Sequence, residues 1–277
     1  GEQTWDVRKD KDVDVLITYI LASAYSDFLI SSELFARVQP QNWQLFTDVL
    51  TEAQINTKYI FFARRQDQFL MSAYMQNVKR HGYSKPITGF VRKEYKRYSY
   101  LKYYSHTKML ESVFGEGNVF PLIYEAAPKC KTGIAGLMLK KITGRESDWF
   151  EPGTPINTSL TPGEIKMMMM ANKYNPRMHF SDVLVEGSIK AGKTTAFTTH
   201  NLIAPNLAQE VIDYFSEENA KFVSEYCDDT GFPTEIAQEY VDIESLSLNH
   251  SDFSDVIVRY LVNFDHRLAM IERNLSK

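Results

Sequence analysis

Two cysteines, Cys130 and Cys227, are all that 277 residues contain. So small a number excludes a disulfide framework and points to a reducing compartment. Long apolar runs are missing as well. The most apolar early stretch, Val13 to Ala24, falls short of the roughly 18 to 20 residues that a membrane helix needs. No transmembrane segment is expected. With neither a basic leader nor a small-residue cleavage pattern before that stretch, the chain reads as cytoplasmic. Excess charge of either sign is also lacking, since 31 Lys and Arg against 35 Asp and Glu leave a net −4. That gives no electrostatic footprint for nucleic acid, which drops out of the expected partners. The six histidines (His81, His106, His179, His200, His250 and His266) show no metal-ligand spacing, so no metal is expected. Apart from Met167 to Met170, which sits in a helical period and reads as core filler, no low-complexity run stands out.

What is present is ordinary for a folded chain: 44% hydrophobic and 24% charged residues, ample for a sizeable core. Short β-branched or aromatic runs alternate with longer helical periods, the pattern of an α/β protein with a parallel sheet flanked by helices. Helices are expected over Asp12 to Tyr25, Trp43 to Ala53, Asp67 to Arg80 and Tyr98 to Phe114. Strands are expected at Asp27 to Ser31, Lys58 to Ala63 and Val119 to Tyr124. The second half turns largely helical, over Gly133 to Ile142, Pro162 to Asn172, Asn206 to Tyr226 and Phe253 to Asn274. Thr161 before Pro162, with Glu164 three residues on, marks a helix start. No convincing linker interrupts the chain, so residues 1–277 read as one domain.

The segment that carries chemistry is Arg64-Arg65-Gln66-Asp67-Gln68-Phe69-Leu70-Met71-Ser72, directly after the clearest strand. Two arginines at the carboxyl end of a parallel strand lie where open α/β sheets bind ligands. A guanidinium suits phosphate because its planar fork donates two parallel, charge-assisted hydrogen bonds. Ser72 falls about one to two turns into the next helix, where a long arginine folding back can share one anion with its hydroxyl. The plain alternative is a solvated arginine pair with Ser72 packed on its helix. Asp67 reads most simply as an acid favouring the helix start.

A strand followed by Arg, with Ser eight residues on, resembles the 3′-phosphate-binding element of enzymes that use 3′-phosphoadenosine 5′-phosphosulfate (PAPS). The longer string Arg64-Arg65-Gln66-Asp67, Ser72, Tyr74 and Gln76 is similar to bacterial sulfotransferase-like proteins of capsule and polysaccharide loci. Leu29-Ile30-Ser31-Ser32-Glu33 resembles the strand-ending Ser-Ser-Glu upstream of the arginine pair. Phe114-Gly115 with Val119 to Glu125, Asn157 to Leu160 and the helix reaching Asn219 resemble later landmarks in the same order.

The resemblance implies a P-loop-NTPase-like sulfotransferase fold with a largely helical second half. It also implies sulfuryl transfer from PAPS, leaving PAP (adenosine 3′,5′-bisphosphate), to a saccharide or polysaccharide acceptor. On it, Arg64 and Ser72 hold the 3′-phosphate, with Arg65 as a weaker cofactor-binding candidate, and Glu33 is the candidate catalytic base. From the residues alone Glu33 is equally a helix-start acid capped by Ser31 or Ser32.

One element departs from the pattern. Residues before Glu33 contain no Lys-x-Gly-Thr-Thr phosphate loop, and the chain opens with Gly1 in place of methionine. A chain shortened at its amino terminus is the expectation that accounts for both. Gly187-Ser188-Ile189-Lys190-Ala191-Gly192-Lys193-Thr194 fits the Walker A pattern. Yet the β-branched, turn-favouring residues that follow it, Ala196 to Asn201, are a poor start for the long helix such a loop needs. Two rival functions therefore stand beside sulfuryl transfer: a catalytically inactive relative that binds a glycan or nucleotide, and a phosphoryl-transfer enzyme using Gly187 to Thr194. The basic run Arg92, Lys93, Lys96, Arg97 and Lys102, interleaved with tyrosines, reads as a solvated helix face or as a grip on an anionic glycan. Nothing in the sequence fixes an oligomeric state.

Overall fold

A computed structural model describes residues 11–129, 133–145, 160–174, 201–227 and 231–248, together with positions 250, 254, 257, 258, 261 and 268. The described residues group into two compact units interleaved along the chain. The first takes its residues from 1–64, 98–150 and 215–232, the second from 65–97, 151–214 and 233–277.

The first unit is built on two parallel strands, β1 (Tyr59–Ala63) and β2 (Val119–Ile123), paired from Tyr59 opposite Val119 to Ala63 opposite Ile123. A broader sheet was the expectation. Asp27 to Ser31 instead lie outside any strand, with Leu29 and Ile30 exposed. A short apolar run alone does not make a strand: it needs a neighbour for its backbone groups, and no described segment supplies one. Pro121 removes one backbone donor from β2, as suits an edge strand. The architecture is thus mixed α/β, mostly helical, with a small two-stranded parallel sheet.

Three helices of this unit flank the sequence positions of the sheet: α1 (Lys11–Ala22), α2 (Pro40–Glu52) and, later in the chain, α5 (Tyr103–Phe114). Pro40 opens α2 where its missing N–H costs nothing. Trp43, Thr47 and Leu50 recur at helical spacing on its buried face. Trp43 is the hub of an aromatic cluster. Its ring meets Phe35, Tyr59 and Phe114 edge-on at 5.3 Å and Phe46 at 6.0 Å, the geometry that ring quadrupoles favour. Leu110 and Val119 complete the buried cluster. Gly115 then ends α5 at φ +91°, a conformation costly for any residue with a Cβ. The expected helix end at Phe114 is observed, while the helix starts at Tyr103 rather than at Tyr98.

The second unit is helical: α3 (Gln66–Arg80) and α4 (Ile87–Glu94) from its first stretch, and α7 (Pro162–Tyr174) after α6 (Gly133–Thr143) of the first unit. The long helix α8 (Pro205–Tyr226) contributes residues to both units. Leu70, Met71, Tyr74 and Val78 form the buried stripe of α3. Tyr74 meets Phe90 of α4 edge-on at 5.6 Å. Asn172 of α7 donates to the carbonyl of Val78 (2.8 Å), in the last turn of α3 where intrahelical partners run out, and to that of Tyr83 (3.0 Å) in the loop that follows. The predicted start of α7 is a reciprocal capping box. Thr161 Oγ1 accepts from the Glu164 amide at 3.2 Å, and the Glu164 carboxylate accepts from the Thr161 amide at 2.8 Å. Met167, Met168 and Met169 are buried and Met170 is exposed, so the methionine run fills core as expected. The helix α4 was not anticipated from the sequence. Among the described residues no helix is long and apolar enough to cross a membrane. Most of the expected helix over Phe253 to Asn274 lies outside the described residues, and the positions described within it, 254, 257, 258, 261 and 268, are helical. Most of Asn157 to Leu160 also lies outside them.

His106 is buried on the inner face of α5, edge-on to Phe61 at 5.5 Å. Desolvation pulls its pKa from the ordinary 6.5 down to about 4. Because the folded value lies below the unfolded one, the unfolded chain binds the extra proton. The cost to stability is absent above about pH 6.5 and grows as the pH falls toward 4, reaching about 3 kcal/mol. Urea unfolding at about pH 7 and about pH 4.5 tests this. His106→Phe should lose less stability over that interval than the native chain; an identical loss would contradict the account.

Candidate functional site

At the carboxyl end of β1 the chain reaches Arg64 and Arg65, and the two neighbours have different fates. Arg64 is the last residue of the first unit. Its backbone lies just past the ladder, which ends at Ala63 opposite Ile123. The Arg64 N–H donates to the Tyr103 hydroxyl at 3.1 Å, and that hydroxyl donates to the Arg64 carbonyl at 2.5 Å. The guanidinium lies over the Tyr124 ring, 4.8 Å from its centroid. Tyr124 directly follows β2, so the pair sits at the carboxyl end of both strands. A cation over a ring face is attracted by the ring quadrupole, so this contact helps to fix where the guanidinium lies.

Tyr103 is buried. Burial pushes its hydroxyl pKa well above the usual tyrosine range, so it stays protonated and able to donate. Its ring packs against Phe222 at 5.6 Å and stacks on Phe232 at 5.7 Å.

Arg65 belongs to the second unit and is buried, 6% exposed. Its fork is engaged on both sides. Nε and Nη2 donate to the two oxygens of Asp67 at 2.7 and 2.9 Å, and Nη1 donates to the carbonyls of Pro233 (3.0 Å) and Glu235 (2.5 Å). Asp67, 1% exposed, is more than the helix-start acid expected: it is the counter-ion that lets Arg65 be buried. Arg65 thus ties the irregular segment 233–248 to the first turn of α3. Lys166 repeats the device by donating to the carbonyls of Ile243 and Glu244, each at 2.8 Å, with Ile243 buried as a peg between polar neighbours.

Ser72 is half-buried on α3 of the second unit, six residues after the helix begins at Gln66, about 9 Å along the axis. Tyr74, two residues on, turns into the core and donates to the Lys85 carbonyl at 3.2 Å. Glu33 opens a 3-10 turn, Glu33–Arg37, of the first unit. Ser32 is its N-cap, accepting from the Leu34 amide at 3.2 Å, so the backbone there is the helix-start arrangement. The structure therefore joins Arg64 to Tyr103 and Tyr124, and Arg65 to Asp67. The Walker A-like segment Gly187 to Thr194 lies outside the described residues, as does Cys130.

Sequence reasoning did not find Tyr103 as a partner of Arg64. It lies thirty-nine residues downstream within a tyrosine-rich run that reads as surface, and spacing along the chain carries no signal for such a contact. Among the described residues no group of three or more His, Cys, Asp or Glu side chains could hold a metal ion.

Removing the Arg65 guanidinium should leave Asp67 buried and uncompensated, at a cost of about 3–5 kcal/mol. Arg65→Ala should therefore unfold at lower denaturant than the native chain. Cleavage at Glu235 and Glu239 by a glutamate-specific protease should be faster under native conditions. Unchanged stability together with unchanged cleavage would contradict this role.

Comparison with protein-family models, with curated proteins and with solved structures found no significant match to this chain.

Proposed function

We propose that the chain moves a sulfuryl group from PAPS to a hydroxyl of a saccharide or polysaccharide, on a sulfotransferase variant of the P-loop-NTPase-like fold. The observation that supports this reading is the run β1–Arg64–α3 in one continuous stretch. A parallel strand is followed by an arginine whose guanidinium lies over an aromatic ring, and a helix carrying Ser72 comes next in the chain. In α/β proteins the carboxyl ends of parallel strands are where anionic ligands bind.

In this reading Arg64 supplies charge to the donor's 3′-phosphate, and Ser72 is the hydroxyl that the sequence resemblance assigns to the same phosphate. Arg65, its fork engaged by Asp67 and by chain carbonyls, serves the same element by fixing the first turn of α3. The acceptor oxygen attacks sulfur, the bond from sulfur to the 5′-phosphate oxygen breaks, and PAP leaves with the electron pair. The acceptor proton passes to a carboxylate, for which Glu33 is the candidate. The step needs orientation of donor and acceptor and stabilisation of the charge on the leaving phosphate.

Thermal unfolding of the chain with PAP, with ATP and magnesium, and with neither tests the reading. PAP at about one hundred times its Kd should raise the midpoint by on the order of 5 °C. The shift should be lost in Arg64→Ala and should not be reproduced by ATP and magnesium. No response to PAP, or a response that Arg64→Ala leaves intact, would overturn the reading. A response to ATP and magnesium alone would direct attention to Gly187 to Thr194.

A further inference from the structure

At its last residue a β-strand faces a general difficulty. The residue beyond the ladder still presents an N–H and a C=O, and in extended backbone both point to the same side. Buried or half-buried, those two groups need partners. At the end of β1 the residue in question is Arg64, one position past the pair Ala63 and Ile123. A single side-chain atom meets both demands: Tyr103 Oη accepts from the Arg64 N–H at 3.1 Å and donates to the Arg64 carbonyl at 2.5 Å. A phenol can do this because it carries one donor and spare lone pairs.

The tyrosine is itself held from several directions. It is the first residue of α5, its carbonyl accepts from Thr107 Oγ1 at 2.7 Å, and its ring packs against both Phe222 and Phe232, which also meet each other at 6.1 Å. Its hydroxyl therefore has little freedom to follow a moving backbone. Arg64 is then fixed twice, through its main chain by Tyr103 and through its guanidinium by the Tyr124 ring at 4.8 Å.

We infer that Tyr103 is a positioning residue for Arg64, its hydroxyl acting in place of a neighbouring strand to fix the backbone from which the guanidinium reaches an anionic ligand. The inference rests on the reading of Arg64 as a phosphate ligand and goes beyond it by naming the group that presets the arginine. Pre-setting matters because a long, flexible arginine loses side-chain and backbone entropy when it grips a phosphate. An arginine whose backbone and ring partner are already fixed loses less, and that difference appears as affinity.

Two measurements on Tyr103→Phe, with Tyr104→Phe on the same helix as control, test the inference. The first is amide hydrogen exchange at Arg64 without ligand. Tyr103→Phe keeps the ring and removes only the hydroxyl, so exchange at Arg64 should quicken at least about tenfold, while Tyr104→Phe leaves it unchanged. Unchanged exchange at Arg64 overturns the inference, whatever the ligand proves to be.

The second is PAP affinity in a double-mutant cycle. Tyr103→Phe should weaken binding roughly tenfold in the native background and have no further effect in the Arg64→Ala background. A loss that persists without Arg64, or no loss in a native chain that binds PAP, would reduce Tyr103 to a packing role and overturn the inference. If the native chain does not bind PAP but exchange at Arg64 still depends on the hydroxyl, the anchor stands and the donor assignment falls.

Discussion

Five register pairs between β1 and β2 are the interaction on which the first unit depends. Two strands are too few to hold together in water on their hydrogen bonds alone; they need an apolar layer against them. That layer is the ring cluster around Trp43, which reaches Tyr59 at the start of β1 and packs with Val119 at the start of β2. The aromatic layer thus grips the amino ends of the two strands. Their carboxyl ends are held by another pair of tyrosines: Tyr103 on the main chain of Arg64, and Tyr124 beneath its guanidinium. One end of the ladder is stabilised by burial, the other by the hydroxyl contacts to the Arg64 main chain and by the Tyr124 ring.

Much of this architecture could be read from the residues. The strand around Tyr59 to Ala63, the strand from Val119, and the helices now seen as α1, α2, α3, α5, α6, α7 and α8 announce themselves through periodicity, turn residues and caps. The helix start at Thr161 and Pro162 did so because capping is a local interaction, although the return bond from Glu164 to the Thr161 amide was not anticipated. What failed was whatever depended on distant partners. Phe28, Leu29 and Ile30 have strand composition and yet form no strand among the described residues. Likewise α4, only eight residues long, is too short for its periodicity to stand out from the neighbouring basic and tyrosine-rich run.

The candidate site divides along the same line. The position of Arg64 at a strand end was legible, since it follows from the length of the strand before it. The difference between Arg64 and Arg65 was not. Nothing local marks which of two adjacent arginines meets Asp67 and the carbonyls of Pro233 and Glu235; only the fold decides it. Arg65 and Lys166 both satisfy main-chain oxygens of the segment 233–248, where an irregular backbone cannot satisfy its own. In sequence, each of these cations looks like any surface charge.

The central claim is that the strand-to-helix element from β1 through Arg64 into α3 receives a 3′-phosphoadenosine nucleotide. Its most direct measurement is the hydrogen-exchange footprint of PAP on the native chain. The account predicts slowed exchange concentrated in residues 59–80, with the Arg64 amide among the most protected. A footprint confined to Gly187 to Thr194, or no footprint at saturating PAP, would contradict it.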